Sequence, residues 1–263
     1  MNILRIEGIT KKFGGLTAVK DFNLELKDGE IVGLIGPNGA GKTTAFNMIT
    51  GIYRPTSGTV WLRSPQQPKQ LIDLTKLKPH VVTGLGIART FQNIRLFAGM
   101  SVLENVMAAC HLRMQASLAE AVLRLPRYRR EDRQIREKAL ELLTALNLED
   151  ALHEPSVSLP YGKQRRLEIA RALATEPRIL LLDEPAAGMN PQESNELMDF
   201  IRHIRDEFKL TIFMIEHHMR VVMGVCERIK VIDHGVTIAE GNPKEIQNNE
   251  QVIKAYLGVD AGA

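Results

Sequence analysis

Gly36-Pro37-Asn38-Gly39-Ala40-Gly41-Lys42-Thr43-Thr44 is the stretch that decides how this chain folds. It fits the pattern G-x-x-x-x-G-K-[ST]. The apolar run Ile31-Val32-Gly33-Leu34-Ile35 before it reads as a buried strand, and Thr44-Ala45-Phe46-Asn47-Met48-Ile49 after it reads as a helix stopped by Gly51. Strand, glycine-rich turn and helix form the context the pattern needs. The glycines let the backbone wrap around phosphate oxygens so that peptide N–H groups point at them. The helix N-terminus adds a favourable potential for the anion. Lys42 is expected to reach the β- and γ-phosphates, and the Thr43 hydroxyl to sit on Mg²⁺.

The chain has 263 residues, enough for one large domain or two small ones, and 44% of them are hydrophobic. Its 34 basic and 31 acidic residues leave a net charge of +3, and aromatics make up 5%. That balance gives no broad nucleic-acid footprint and suggests no base-stacking surface. Cys110 and Cys226 lie far apart outside any C-x-x-C pattern, which points to a reducing compartment. No apolar run reaches the roughly 18 residues a membrane span needs, and the N-terminus lacks the apolar core of a signal peptide. A membrane role is therefore expected to be peripheral, through a partner.

Outward from the loop, Ile3-Leu4-Arg5-Ile6-Glu7 and the alternating Phe22-Asn23-Leu24-Glu25-Leu26 read as half-buried strands. Asp28-Gly29 is a hairpin signal leading into the strand before the loop. Thr59-Val60-Trp61-Leu62 reads as a strand, and residues 63–79, with Pro65, Pro68 and Pro79, as loop with at most a short helix. Residues 83–92 suggest a turn and a strand. From residue 93 the composition turns helical. Ser101-Val102-Leu103-Glu104 has the form of a capping box, and a second helix is expected near residues 117–125. Arg124, Arg127, Arg129, Arg130, Arg133 and Arg136 form a basic run, either a solvated helix face or a partner site. A third helix follows, with Leu140, Leu143 and Leu146 near one face. Later, Asn190-Pro191 opens a helix carrying Leu197, Ile201, Ile204 and Phe208 on one side, and Thr211-Ile212-Phe213-Met214-Ile215 is a strand. Residues 219–226, 243–247 and 250–257 read as helices and 229–232 as a strand.

Ile179-Leu180-Leu181-Leu182-Asp183-Glu184 is a buried strand ending in two acids. Beside a phosphate loop, Asp183 can hold Mg²⁺ directly or through water. Glu184 is placed to polarise a water in line with the γ-phosphorus.

Over nearly its whole length the chain resembles the nucleotide-binding subunits of ABC transporters. Seven elements fall in the family's order. Phe13 matches the aromatic residue that stacks on adenine, and residues 36–44 match Walker A. Gln92 matches the Q-loop glutamine, which reaches Mg²⁺ or the attacking water and links to the membrane partner. Leu159-Pro160-Tyr161-Gly162-Lys163-Gln164 lies where the family signature lies. Asp183 and Glu184 match Walker B and the catalytic glutamate. Ala187-Gly188-Met189-Asn190 matches the D-loop, and His217 the switch histidine. Within the family, Gly86-Ile87-Ala88-Arg89-Thr90-Phe91-Gln92, residues 161–171 and 183–191, and Ala255-Tyr256-Leu257-Gly258 resemble the ATPases of branched-chain amino-acid importers. Importers of urea or other amides and the ATPase of lipopolysaccharide export share much of this.

The resemblance implies a P-loop α/β fold of the ABC ATPase type. A mixed-sheet core with an N-terminal antiparallel part covers residues 1–92 and 159–263, and a helical subdomain covers 93–158. It implies ATP and Mg²⁺ as ligands, with Lys42, Gln92, Glu184 and His217 catalytic and Thr43, Gln92 and Asp183 on the metal. Phe13, residues 36–44, Tyr161 and Gly162 are the implied nucleotide contacts. It further implies a head-to-tail dimer sandwiching two ATP molecules. The second ATPase chain is expected to be a different one, with a homodimer open to the chain alone. Two transmembrane permease subunits and, indirectly, a periplasmic substrate-binding protein complete the assembly at the cytoplasmic face of the inner membrane. A soluble ABC ATPase and a non-catalytic regulatory subunit remain as other readings. The departures are Pro160 and Tyr161 in place of the signature Ser and first Gly, Asn190 in place of the D-loop acid, and His218 after the switch histidine. Pro160 offers neither hydroxyl nor N–H to a phosphate.

Overall fold

The computed structural model describes residues 1–257 except 68, 115 and 124. Pro68, Arg124 and Gly258 of the readings above lie outside the described residues. In chain order the elements are β1 (Asn2–Phe13), β2 (Leu16–Lys27), β3 (Ile31–Ile35), α1 (Lys42–Ile49), β4 (Ser57–Arg63), β5 (Leu71–Asp73), α2 (Pro79–Gly84), β6 (Ile87–Arg89), α3 (Val102–Cys110), α4 (Leu118–Val122), α5 (Pro126–Ala145), α6 (Tyr161–Leu173), β7 (Ile179–Asp183), α7 (Pro191–Glu207), β8 (Thr211–Ile215), α8 (Met219–Val225), β9 (Arg228–Asp233), β10 (Val236–Gly241), α9 (Pro243–Gln247) and α10 (Glu250–Leu257).

They form two compact units, residues 1–92 with 178–263, and residues 93–177. The first unit holds two sheets, one ordered β2-β1-β4-β5 and antiparallel, the other ordered β10-β9-β3-β8-β7-β6. In the second sheet β9, β3, β8, β7 and β6 run parallel, and only β10 pairs antiparallel. β3, β7 and β8 are buried at every residue. A parallel strand covered on both faces demands that continuous apolar run. Phe22, Phe46 and Phe213 anchor the core of this unit, with the Phe46 and Phe213 ring centroids 4.9 Å apart.

Several expectations change. Asp28-Gly29 turns the chain, but β2 and β3 belong to different sheets, so the turn links sheets rather than a hairpin. β1 and β2 are 12 residues each, longer than their apolar alternation suggests, because the register shifts between Ile6 and Ile9 and again beyond. Gly8 at φ 57° and Asp21 at φ 50° sit at that irregularity and break the alternation. β5, in the stretch read as loop, and β10 were not anticipated.

The second unit runs to Pro177 rather than ending at 158, because α3 packs on α6 as well as on α5. Ser101 and Glu104 make the expected reciprocal capping box at the start of α3. The described part of the basic run lies in the first half of α5, whose buried residues are Ile135, Ala139, Leu142 and Leu143. Leu140 is only half-buried, while Leu146 is buried just past the helix end.

Candidate active site

β3 delivers the chain into the glycine-rich loop, and Gly36 makes the first turn at φ 151°. A Cβ there would stand 2.0 Å from the Ile232 carbonyl oxygen of neighbouring β9, and one on Gly41, at φ 102°, would stand 2.4 Å from the Ala18 carbonyl oxygen. Only glycine fits either place. The loop closes with Ala40 N–H donating to the Pro37 carbonyl at 3.2 Å, and α1 begins at Lys42. Lys42 is buried, and its Nζ donates to the carbonyls of Gly36 at 2.8 Å and Pro37 at 2.9 Å. Burial lowers the Lys42 pKa from its ordinary value, and the charges of Glu184 and Asp183 offset part of that. The ammonium is thus folded onto carbonyls of its own loop, and the exposed Thr43 follows it in the first turn of α1.

β7 ends in Asp183, and Glu184 follows at φ 48°, a left-handed conformation that costs a non-glycine residue free energy of order 1–3 kcal/mol. That backbone turn aims the Glu184 carboxylate away from the strand. One oxygen accepts from Gln92 Nε2 at 2.7 Å, and the other is in close contact with His217 Nε2. Gln92 and His217 come from the ends of the outer strand β6 and of β8, the strand beside β7, so the sheet order itself assembles the three. Gln92, expected on the metal, is engaged here with Glu184.

Two residues outside the expected set complete the site. Glu216 is fully buried at the end of β8, and its carboxylate accepts backbone N–H groups of Ala186 at 2.6 Å, His217 at 2.8 Å and His218 at 3.1 Å. It pins the turn after Glu184 to the turn that carries His217. Arg89, at the end of β6, donates to Asp183 Oδ2 at 2.6 Å and to Asn47 Oδ1 of α1 at 2.6 Å. Neither residue is marked by spacing: Ala186 lies 30 residues from Glu216, and Asp183 lies 94 from Arg89.

The oxygen donors Thr43 and Asp183 suit a hard cation, and among the described residues no group of three or more His, Cys, Asp or Glu side chains could cage a metal. A magnesium ion here would be held by those two oxygens, phosphate and water. Gly36 and Gly41 let the loop pack against the Ile232 and Ala18 carbonyls, while a Cβ on Gly39 would meet nothing within 4 Å, which leaves that part of the loop open to a phosphate.

Phe13 is 43% exposed at the end of β1, with the Tyr53 ring edge-on at 5.3 Å and the Lys11 ammonium 5.1 Å from its centroid. An exposed ring held from behind can take a stacked base. In the helical unit, Pro160 occupies the N-cap of α6 with no side-chain cap. Tyr161 is exposed and its hydroxyl accepts from Arg165 at 3.2 Å, while a Cβ on Gly162 would meet open space. Asn190, the D-loop departure, caps α7 instead, accepting from Gln192 and Glu193 N–H at 2.9 Å.

A lysine-bearing phosphate loop after β3, with paired acids at the end of β7, across β8 in the same sheet, defines a P-loop nucleoside triphosphatase. The chain belongs to the ABC transporter family, which it matches over residues 19–187. A second match, to the branched-chain amino acid ATP-binding cassette transporter group, covers residues 236–262. The chain is 45% identical to the high-affinity branched-chain amino acid transport ATP-binding protein LivG of Escherichia coli K12, over 97% of this chain and 98% of LivG. It is 36% identical to the lipopolysaccharide export system ATP-binding protein LptB of the same organism, over 99% of both. Among solved structures, an ATP-binding cassette of an ABC transporter in its ADP conformation superposes with a TM-score of 0.83 at 29% identity, covering 98% of this chain and all of the other.

Proposed function

We propose that this chain is the ATP-hydrolysing subunit of an importer for branched-chain amino acids. The observation that carries the hydrolytic part is the Glu184 carboxylate, held between Gln92 and His217 at the strand end beside Lys42. Lys42 gives up the carbonyls of Gly36 and Pro37 to reach the β- and γ-phosphates. The loop N–H groups and the start of α1 hold the same anion. Glu184 accepts a proton from the attacking water, and His217 and Gln92 orient its carboxylate. Mg²⁺, when bound with the nucleotide, neutralises charge on the β- and γ-phosphate oxygens. Phe13 stacks on the adenine.

The substrate part rests on kinship. The identity to LivG exceeds that to LptB, and residues 236–262 match the branched-chain group, which favours import of amino acids over lipopolysaccharide export. The chain works as one half of an ATPase dimer, with a different cassette as its partner in the cell. The dimer docks on two permease subunits at the cytoplasmic face of the inner membrane, served by a periplasmic binding protein. No helix among the described residues is long and apolar enough to cross a membrane, so attachment runs through those partners. Tyr161 and Gly162 lend N–H groups to the partner's nucleotide.

The test is leucine uptake in cells lacking this chain and its paralogues. Restoration by the parent and not by Lys42→Ala supports the reading. Unchanged uptake with either, alongside rescue of another solute's transport, contradicts the assignment of substrate.

A further inference from the structure

One buried charge stands outside the hydrolytic set. The Arg89 side chain is 6% exposed, and that of its partner Asp183 is 4% exposed. A guanidinium stays protonated, so burying it demands compensation. The compensation comes from three directions. Asp183 Oδ2 and Asn47 Oδ1 each accept at 2.6 Å, and the rings of Phe46 and Phe91 lie 5.5 and 5.3 Å from the guanidinium carbon. The fork is not fully used, since Nε has no hydrogen-bond partner. Arg89 therefore ties the end of β6 to α1 and to the end of β7. Three residues later β6 leads into Gln92, which holds Glu184.

Its place is also electrostatically loaded. Arg89 is ion-paired with Asp183, and the Lys42 ammonium feels the charges of both Glu184 and Asp183. A divalent cation brought to Asp183 would stand against the guanidinium. The two positive charges then compete for one carboxylate.

We propose that Arg89 is a positioning residue: it is the resident counter-cation of Asp183, holding that carboxylate in place in the nucleotide-free protein and yielding it to the divalent cation that enters with the nucleotide. This rests on the reading of Asp183 as the metal-side carboxylate. Without Arg89, buried Asp183 loses its ion pair and keeps only the charge of Lys42 nearby until the metal arrives, so the metal gains importance and the metal-free protein loses stability.

The full-length chain is compared as parent, Arg89→Met, Arg89→Lys and Arg89→Met with Asp183→Asn. Two readouts are used, thermal melting in EDTA and the Kd for a non-hydrolysable ATP analogue with EDTA or with Mg²⁺. Arg89→Met is expected to melt roughly 5–10 °C below the parent in EDTA. Adding Asp183→Asn is expected to recover at least half of that loss, because the uncompensated charge is gone. The factor by which Mg²⁺ tightens analogue binding is expected to rise by about threefold or more in Arg89→Met, the size of a modest change in one ionic contact, and by less in Arg89→Lys. An unchanged melt, a loss that Asp183→Asn only deepens, or a Mg²⁺ factor equal to the parent's overturns the proposal. Should Arg89→Met fail to fold, a Mg²⁺ factor in Arg89→Lys above the parent's supports it and an equal factor overturns it. A parent that binds the analogue equally with and without Mg²⁺ overturns the metal reading of Asp183 itself, and the exchange with it.

Discussion

Glu184, the proposed general base, sits under backbone strain, and Glu216 braces the turns on either side of it. A fully buried carboxylate that accepts three backbone N–H groups fixes where Ala186, His217 and His218 stand. Glu216→Gln keeps the shape but turns one acceptor oxygen into a donor facing N–H groups. It is expected to lower the phosphate-release rate by about tenfold or more while leaving nucleotide affinity within about threefold, since a lost charge-assisted bond is worth about 1.5–3 kcal/mol. Steady-state kcat and equilibrium binding, measured on the same preparation, check this. A proportional fall in both would mean that Glu216 serves the fold alone. Lys42→Ala should act the other way, removing nucleotide binding by 100-fold or so through loss of a buried ammonium on phosphate, as equilibrium binding would show. Motif spacing picks out the residues proposed for hydrolysis, and the structure brings Glu184, Gln92 and His217 together. Glu216 and Arg89 carry no such spacing, because the sheet alone brings Ala186 and Asp183 to them.

At the scale of elements, the parallel strands were the easiest to read. β3, β7 and β8 are unbroken apolar runs because both faces are covered. β5 escaped notice since its three residues are exposed or half-exposed, leaving no apolar period to find. β10 is half-buried to exposed throughout, and edge strands of that kind carry little sequence signal. The sheet edge also holds an ionic knot: Arg228 at the start of β9 binds Glu30 through two nitrogens at 2.8 and 2.9 Å and contacts Glu240 of β10. Burial would raise the Glu30 carboxyl, but hydrogen bonds and charge from Arg228 outweigh it and hold the group below its ordinary value of 4.5. A depressed carboxylate contributes stability that is fully present above that value and is lost as the pH falls through the lower folded one. Arg228→Met is therefore expected to lower the melting temperature at neutral pH and to flatten the acid limb below pH 4.5. Melting curves between neutral and strongly acidic pH check it, and parallel curves for parent and variant would contradict it.

For the whole molecule, the composition changes at residue 93, where the second compact unit begins, and that unit runs to residue 177. α6 carries the signature and reads like core α/β sequence, yet it packs with α3. Pro160 leaves the N-cap of that helix without a side chain to offer. In the assembled complex, Pro160→Ser is expected to tighten apparent ATP affinity by roughly two- to fivefold, the worth of one added hydrogen bond or cap. ATPase titrations of the complex measure this, and an identical half-saturation point would mean that the chain's signature does not reach a partner's phosphate.

If ATP bound in the loop from Gly36 to Thr44 is hydrolysed through Glu184, the isosteric Glu184→Gln variant, which leaves the loop untouched, separates binding from chemistry. Phosphate release and nucleotide binding are measured on this variant and the parent. Release is expected to fall at least about 100-fold, the usual worth of a general base, with ATP binding retained and the nucleotide-bound dimer accumulating. Release at the parental rate would contradict that role for Glu184.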